Sequence, residues 1–187
     1  MDKMDQLFAQ FPIFETRRLR FRPLTEEDAD DLLLLYSDEE VFKYQGFDGF
    51  TSMESIMKFI EIVQYGYEHK QFVRWGVELK DNQKLVGMIS LHHLEHWNKK
   101  TEVGYMLMRS YWNHGLMTEA VSALMDRTLN AFGFHRVEAM IHPDNLASIA
   151  LIKKCGFEEE GYRREAAWND GLGIYEDRIL FARLGQE

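Results

Sequence analysis

The segment YWNHGLMTEA, residues 111–120, decides how the chain is read. A glycine and small, mostly uncharged residues stand directly in front of an amphipathic stretch. From Leu116 to about Phe132, the positions Met117, Val121, Leu124, Met125, Thr128, Leu129 and Phe132 recur at helical spacing, and Gly133 supplies a left-handed cap. A helix therefore begins at Leu116 with its first turn uncovered. First-turn amides have no partner within their own helix and carry partial positive charge, so an open N-terminus favours an anion. Asn113, His114, Gly115, Leu116, Met117 and Thr118 supply those groups, and Gly115 has no Cβ to hold a ligand away.

On either side of this helix the hydrophobic period changes. Upstream, FVRWGVELK (72–80) and LVGMISLHHL (85–94) read as strands joined by the turn DNQK, and KTEVGYMLM (100–108) reads as a third. Downstream, RVEAMIH (136–142) is a buried strand, and DNLASIALIKKCGF (144–157) is a short helix stopped by Gly156. The tail offers two strands, FEEEGYRREAAW and IYEDRILFARL, around the turn NDGLG. Near the start, ETRRLRFRPL alternates, with Leu19 and Phe21 on one face and Arg18, Arg20 and Arg22 on the other, which reads as a solvated arginine face. Pro23 ends that strand. A helix follows with Thr25 as its cap, and a second runs from about Ser52 to His69. The order is strand, two helices, three strands, helix, strand, helix, hairpin. That describes an α/β protein with a mixed sheet. It is not a doubly wound one, because no G-x-G-x-x-G follows a strand and no Walker-type lysine is present.

With 187 residues, no repeats and no linker-like tract, one domain is expected over 1–187, with its core at about 14–185. The net charge of −9, from 31 acids and 22 bases, argues against a nucleic-acid partner and suits a cationic one such as an amine. A single cysteine, Cys155, excludes an intrachain disulfide framework and fits a reducing compartment. No apolar run is long enough to span a bilayer and no leader pattern opens the chain, so a cytoplasmic protein with no membrane partner is expected. Monomer and homodimer both remain open.

GYMLMRSYWNHGLMTEAV (104–121) followed by NLASIALIKKCGF (145–157) resembles the Gcn5-related N-acetyltransferase (GNAT) superfamily. The acyl-coenzyme A loop of that family, Q/R-x-x-G-x-G/A, falls on Trp112-Asn113-His114-Gly115-Leu116-Met117. Trp112 and Met117 depart from the pattern, which a main-chain cradle tolerates. W-x-x-G, then TEA, Asn145, Ser148 and Glu160-Gly161, resembles the ribosomal-protein N-terminal acetyltransferase (RimJ/RimL-type) branch. The resemblance implies a single-domain GNAT-like fold whose sheet, mostly antiparallel and of about seven strands, is flanked by helices and splayed at the acyl-CoA cleft. It also implies acetyl-CoA as cosubstrate. The loop would hold the pyrophosphate, while Met106, Leu107 and Met108 on the splayed strand, together with Asn145, would hold the pantetheine arm.

Acetyl transfer needs a neutral amine, donors for the developing oxyanion and an acid for the leaving thiolate. Asn145 and Ser148 share a helix face, and the resemblance puts Ser148 near the sulfur. The family's tyrosine acid, seven residues after that asparagine, is here Ile152, so Ser148 is the remaining acid. Glu102, on the strand entering the cleft, is the candidate for ammonium binding and proton removal through water, with His92 and Tyr105 beside it as acceptor-binding residues. A glutamate that some relatives place after the Glu160-Gly161 strand is here Ala167. The base is therefore weak. An α-amine near ~8 is roughly one-tenth neutral at pH 7, whereas a lysine near ~10.4 is neutral to under about one part in a thousand. A weak base suits an α-amine.

The expectation is thus acetylation of a protein or peptide N-terminus by direct transfer in a ternary complex. A small amine (a polyamine, amino sugar or amino acid analogue) is the alternative acceptor, and a non-catalytic acyl-CoA sensor is a third reading. Neighbouring histidines on a strand point to opposite faces, so His92, His93 and His96 are not expected to bind metal. Cys155 has no basic partner in sequence and reads as core. The stretch VFKYQGFDGF (41–50) is a candidate wall for the acceptor site, with Gly46 and Gly49 allowing it to move.

Overall fold

A computed structural model describes residues 3–185. Its strands are β1 (Phe14–Glu15), β2 (Leu19–Arg22), β3 (Val73–Leu79), β4 (Leu85–Glu95), β5 (Lys100–Leu107), β6 (Arg136–Ile141), β7 (Glu158–Asn169) and β8 (Ile174–Leu184). They form one sheet in the order β1-β2-β3-β4-β5-β6-β8-β7. Its helices are α1 (Lys3–Leu7), α2 (Ala29–Tyr36), α3 (Glu39–Phe42), α4 (Met53–Glu68), α5 (Leu116–Asn130) and α6 (Leu146–Lys154). Eight strands stand where about seven were expected. The extra one is β1, two residues long and too short to show a period of two. The helix α1 was likewise illegible, since five residues cannot reveal a 3.6-residue repeat, yet its Met4 and Leu7 are fully buried.

Two hydrophobic clusters hold the sheet. One joins Phe21, Trp75, Val103 and Phe181 to Val121, Leu124 and Met125 of α5. The other joins α2, α3 and α4 to Leu85, Met88 and Met108.

Every strand pair is antiparallel except β5 with β6. That parallel pairing matches only Lys100–Glu102 with Arg136–Glu138. Beyond Glu102 the two strands part, β5 staying with β4 as far as Leu107 and β6 staying with β8 as far as Ile141. The expected splay is therefore present, and it opens directly below the N-terminus of α5.

The arginine face of β2 is not simply solvated. Arg22 sits between two buried carboxylates. It binds Asp28 through both terminal nitrogens, at 2.8 and 2.7 Å, and its Nε donates to Glu78. Asp28 also accepts from the Thr25 amide at 2.9 Å, fixing the turn into α2. Sequence alternation cannot separate such an arginine from a solvated one, because Glu78 comes from a strand 56 residues away.

Removing one member of a buried ionic cluster strands the others without a counter-charge, at a cost of about 3–5 kcal/mol. Arg22→Leu should therefore lose about that much in urea denaturation. Lys58→Ala, which breaks the exposed i,i+4 pair with Glu54, should lose under about 0.5 kcal/mol.

Candidate active site

The gap between β5 and β6 opens into a cleft of about 650 Å³, walled by β5, α5, α6 and the segment around α3. Tyr105, Met106, Leu107, Asn113, Gly115, Leu116, Met117, Thr118, Asn145 and Ser148 all line it. His114, Met108, Glu102 and His92 do not.

At the mouth, Gly115 caps α5 in the left-handed conformation with φ +70°, and Asn113 is also left-handed at φ 61°. A residue with a Cβ would be strained at position 115, which is why glycine stands there. The amide of Glu119 bonds the Gly115 carbonyl at 3.1 Å, whereas those of Leu116, Met117 and Thr118 reach no acceptor among the described residues. Three convergent free N–H groups at a helix N-terminus form an anion cradle.

A clamp that sequence reading missed holds this loop. Glu119 accepts from Thr16 Oγ1 at 2.6 Å, from the Arg18 amide at 3.0 Å and from Arg18 Nε at 2.7 Å. Arg18 Nη1 in turn donates to the His114 carbonyl at 3.0 Å. His114 thus serves the loop through its backbone. Trp112, where the family pattern has glutamine or arginine, donates from Nε1 to the Leu107 carbonyl at 2.7 Å and ties the loop to β5. The TEA glutamate was a visible signal. Its partner Arg18 was hidden among three arginines at the same spacing.

Ladder parity divides the residues of β5. Met108 donates its amide to the Val86 carbonyl at 2.8 Å, which makes the even residues those that exchange backbone bonds with β4. The backbone groups of Met106 and Met108 therefore face β4, and the Met108 side chain packs in the second core cluster. Tyr105 and Leu107 turn theirs towards the gap that β6 has left.

On α6, the Asn145 side chain caps the helix, Oδ1 accepting from the Ser148 amide at 3.1 Å. Its Nδ2 meets no acceptor among the described residues, and Asn145 lines the cleft. Ile152, in the place of the family's tyrosine, is fully buried. A phenol is nevertheless close by: Tyr105 reaches the Ser148 carbonyl at 3.5 Å from the opposite wall. Burial pushes the Tyr105 phenol up to about 12, so it is a protonated donor at neutral pH.

Glu102 lies at the last position of β5 that pairs with β6, opposite His92 on β4. Its carboxylate meets His92 Nε2 at 3.5 Å and His93 Nδ1 at 3.0 Å. Burial alone would raise its pKa, but the bonds from the two imidazoles outweigh that and hold it below the ordinary glutamate value. Gly104 makes room for this pair, since a Cβ there would come within 3.0 Å of His92 Cε1.

The far wall comes from Glu40, Val41, Lys43, Tyr44 and Gln45. This segment is tethered at three points: Asp38 to Arg109 Nε at 3.1 Å, the Tyr44 ring on His142 at 5.1 Å, and the Gly46 carbonyl to the Asp170 amide at 2.8 Å. Gly49 is packed rather than free, because a Cβ there would meet the Tyr36 carbonyl oxygen at 1.9 Å.

The family described as "Acetyltransferase (GNAT) domain" matches residues 18–158. The chain belongs to this family and is a GNAT-type N-acetyltransferase. It is 34% identical over 161 residues to the uncharacterized N-acetyltransferase YoaA of Bacillus subtilis, covering 86% of this chain and 91% of that one. It is also similar to two Escherichia coli enzymes. One is the ribosomal-protein-serine acetyltransferase, at 31% identity over 54% of this chain and 55% of the other. The second is spermidine N(1)-acetyltransferase, at 23% over 76% and 74%. Among solved structures, a GNAT-family acetyltransferase from Bacillus anthracis superposes with a TM-score of 0.82 at 24% identity, covering 94% of this chain and all of that one.

Cys155 is buried at the end of α6. Burial raises its thiol above the ordinary value, and Ser122 Oγ and the Thr118 carbonyl are its polar neighbours at 3.5 and 3.7 Å. Iodoacetamide at pH 8 should therefore label the native protein at least about tenfold more slowly than the urea-unfolded chain, read by intact mass.

Proposed function

We propose that the protein transfers the acetyl group of acetyl-CoA to the α-amino group of a protein or peptide N-terminus, directly and within a ternary complex. The bound acetyl-CoA supplies an activated acyl thioester. The chain's own groups fit such a ligand. The free amides of Leu116, Met117 and Thr118 are suited to its pyrophosphate, and the Leu107 amide and Asn145 Nδ2 to the amide-bearing arm. Met106 contributes to the wall.

Between β5 and α6, the Tyr105 hydroxyl and Ser148 Oγ are the candidate proton donors. Tyr105 is the stronger candidate, because its phenol is held protonated and aimed across the cleft. Glu102, with His92 beside it, binds the incoming ammonium and receives its proton through water.

The observation that carries the acceptor assignment is the meeting of two imidazoles on Glu102, His92 Nε2 at 3.5 Å and His93 Nδ1 at 3.0 Å, which favours its charged form. A carboxylate stabilised in its charged form takes up a proton reluctantly. It can serve an amine that is already partly neutral near pH 7, and serves a lysine or polyamine poorly.

A second reading, a small-molecule amine, draws on the tethered Asp38–Gly46 segment, which fixes one wall of the cleft. The relationship to spermidine N(1)-acetyltransferase is compatible with it.

Thiol release from acetyl-CoA, measured against peptides with Ala, Ser or Met N-termini, their blocked forms, lysine and polyamines, separates the two. Turnover of unblocked peptides alone is expected; turnover of polyamines alone sinks the α-amine assignment. Silence with retained acetyl-CoA binding would indicate a sensor. With the preferred peptide, Tyr105→Phe should lower kcat by about 10²-fold, the scale of general acid assistance, and leave the KM for acetyl-CoA within about twofold. Because Glu102 is already ionised well below neutrality, log kcat/KM should rise with unit slope up to the pKa of the acceptor amine. A separate inflection from an enzyme group, lost in His92→Gln, would make His92 the base instead.

A further inference from the structure

On a regular strand, adjacent histidines point to opposite faces, and that expectation fails here. The register between β4 and β5 shifts between His92 and Glu95, where three steps on β4 face two on β5 (Lys100 to Glu102). The extra residue forms a bulge, and His93 within it adopts φ 49°, a left-handed conformation uncommon for histidine. The result is that both imidazoles converge on one carboxylate, His92 Nε2 on Oε1 and His93 Nδ1 on Oε2 of Glu102.

We propose that His92, His93 and Glu102 form a binding site for a divalent transition-metal ion, with Zn2+ as its best match. Two imidazoles and a carboxylate are a donor set suited to zinc, and three protein ligands leave a coordination position open. The ligating atoms all lie within 4.8 Å of one another. Around a tetrahedral zinc with bonds of about 2.0–2.1 Å, ligand atoms stand roughly 3.3 Å apart. The contacts of 3.0 and 3.5 Å already bracket that spacing. His93 has room to adjust, since its side chain is 76% exposed.

The surroundings of His92 also fit. His92 presents Nε2 to Glu102, while its Nδ1 lies 3.4 Å from Ser90 Oγ, whose own hydroxyl reaches the Gly104 carbonyl at 3.4 Å. A partner on the far ring nitrogen is the arrangement that fixes the tautomer of a metal-bound histidine. Ser90 is itself buried, so this support is built into the sheet.

The consequence for turnover rests on the function proposed above. If Glu102 receives the acceptor ammonium, a metal ion there competes with the acceptor and not with acetyl-CoA.

Equilibrium dialysis of the full chain against ZnCl2 at pH 7.5 tests the site without any assay of activity. One Zn2+ per chain is expected. His93→Ala, an exposed substitution, should weaken that binding at least tenfold, while His96→Ala, on the same strand end but outside the cluster, should leave it within twofold. Binding to His93→Ala as tight as to the natural chain, or no saturable binding at one equivalent, overturns the site. Inhibition kinetics then address the acceptor assignment by itself. Zn2+ that raises the KM of the amine supports Glu102 as the ammonium site. Zn2+ that binds the cluster without affecting the amine removes Glu102 from that role and leaves the metal site standing.

Discussion

The parting of β5 and β6 is the constraint on which the rest of this molecule depends. The two strands share a parallel ladder only over Lys100–Glu102 and Arg136–Glu138. Each then keeps a full antiparallel partner on its other side, β4 for β5 and β8 for β6. The sheet therefore survives the opening. The backbone groups that face the gap, at Tyr105 and Leu107, lose the partner a continuous sheet would give them, and unpaired amides and carbonyls away from water are costly. The Leu107 carbonyl is satisfied by Trp112, and the remaining groups line a cleft suited to a polar, amide-bearing guest. One interruption in a ladder thus creates both the cavity and its hydrogen-bonding character.

Holding the cleft's rim in place takes polar links spread over most of the chain. Thr16 and Arg18, before and at the edge of the first long strand, grip Glu119 in the first turn of α5. Arg18 also holds the loop carbonyl of His114. This arrangement puts a carboxylate in the first turn of a helix, where the dipole favours it, and aims it away from the free amides. The cradle stays open for an anion even though the chain carries a net charge of −9. Local N–H groups outweigh a distant charge excess, which is screened over about 10 Å of ordinary salt solution.

At the start of β5, beyond the residues that line the cleft, the electrostatics run the other way. Glu102 is flanked by two imidazoles and stays ionised, which favours cations and disfavours strong proton abstraction. Three residues further along the same strand, Tyr105 is kept protonated by burial. Ile152 is core, and the phenol that approaches α6 comes instead from Tyr105 on the facing strand.

Much of this was legible in the sequence, and the division has a physical cause. Features written in local periodicity could be read directly. These include the start of α5 at Leu116, the glycines Gly133 and Gly156 that end α5 and α6, the hairpin strand ending at Leu184, and the residues Leu116 to Thr118 that carry the free amides. They depend on a residue's own backbone preference or on neighbours a few positions away. What the sequence could not determine was any property that rests on partners far along the chain. Arg18 and Arg22 look like Arg20, and only Glu119, Asp28 and Glu78 distinguish them. Met106 and Met108 look like equals of Leu107 until the bond from Met108 to Val86 sets which backbone groups face the cleft. His92 and His93 should diverge, and a one-residue mismatch with β5 makes them converge. Periodicity fixes which face a side chain takes within its own element. Register with another strand decides what it meets there, and register exists only once the chain has folded.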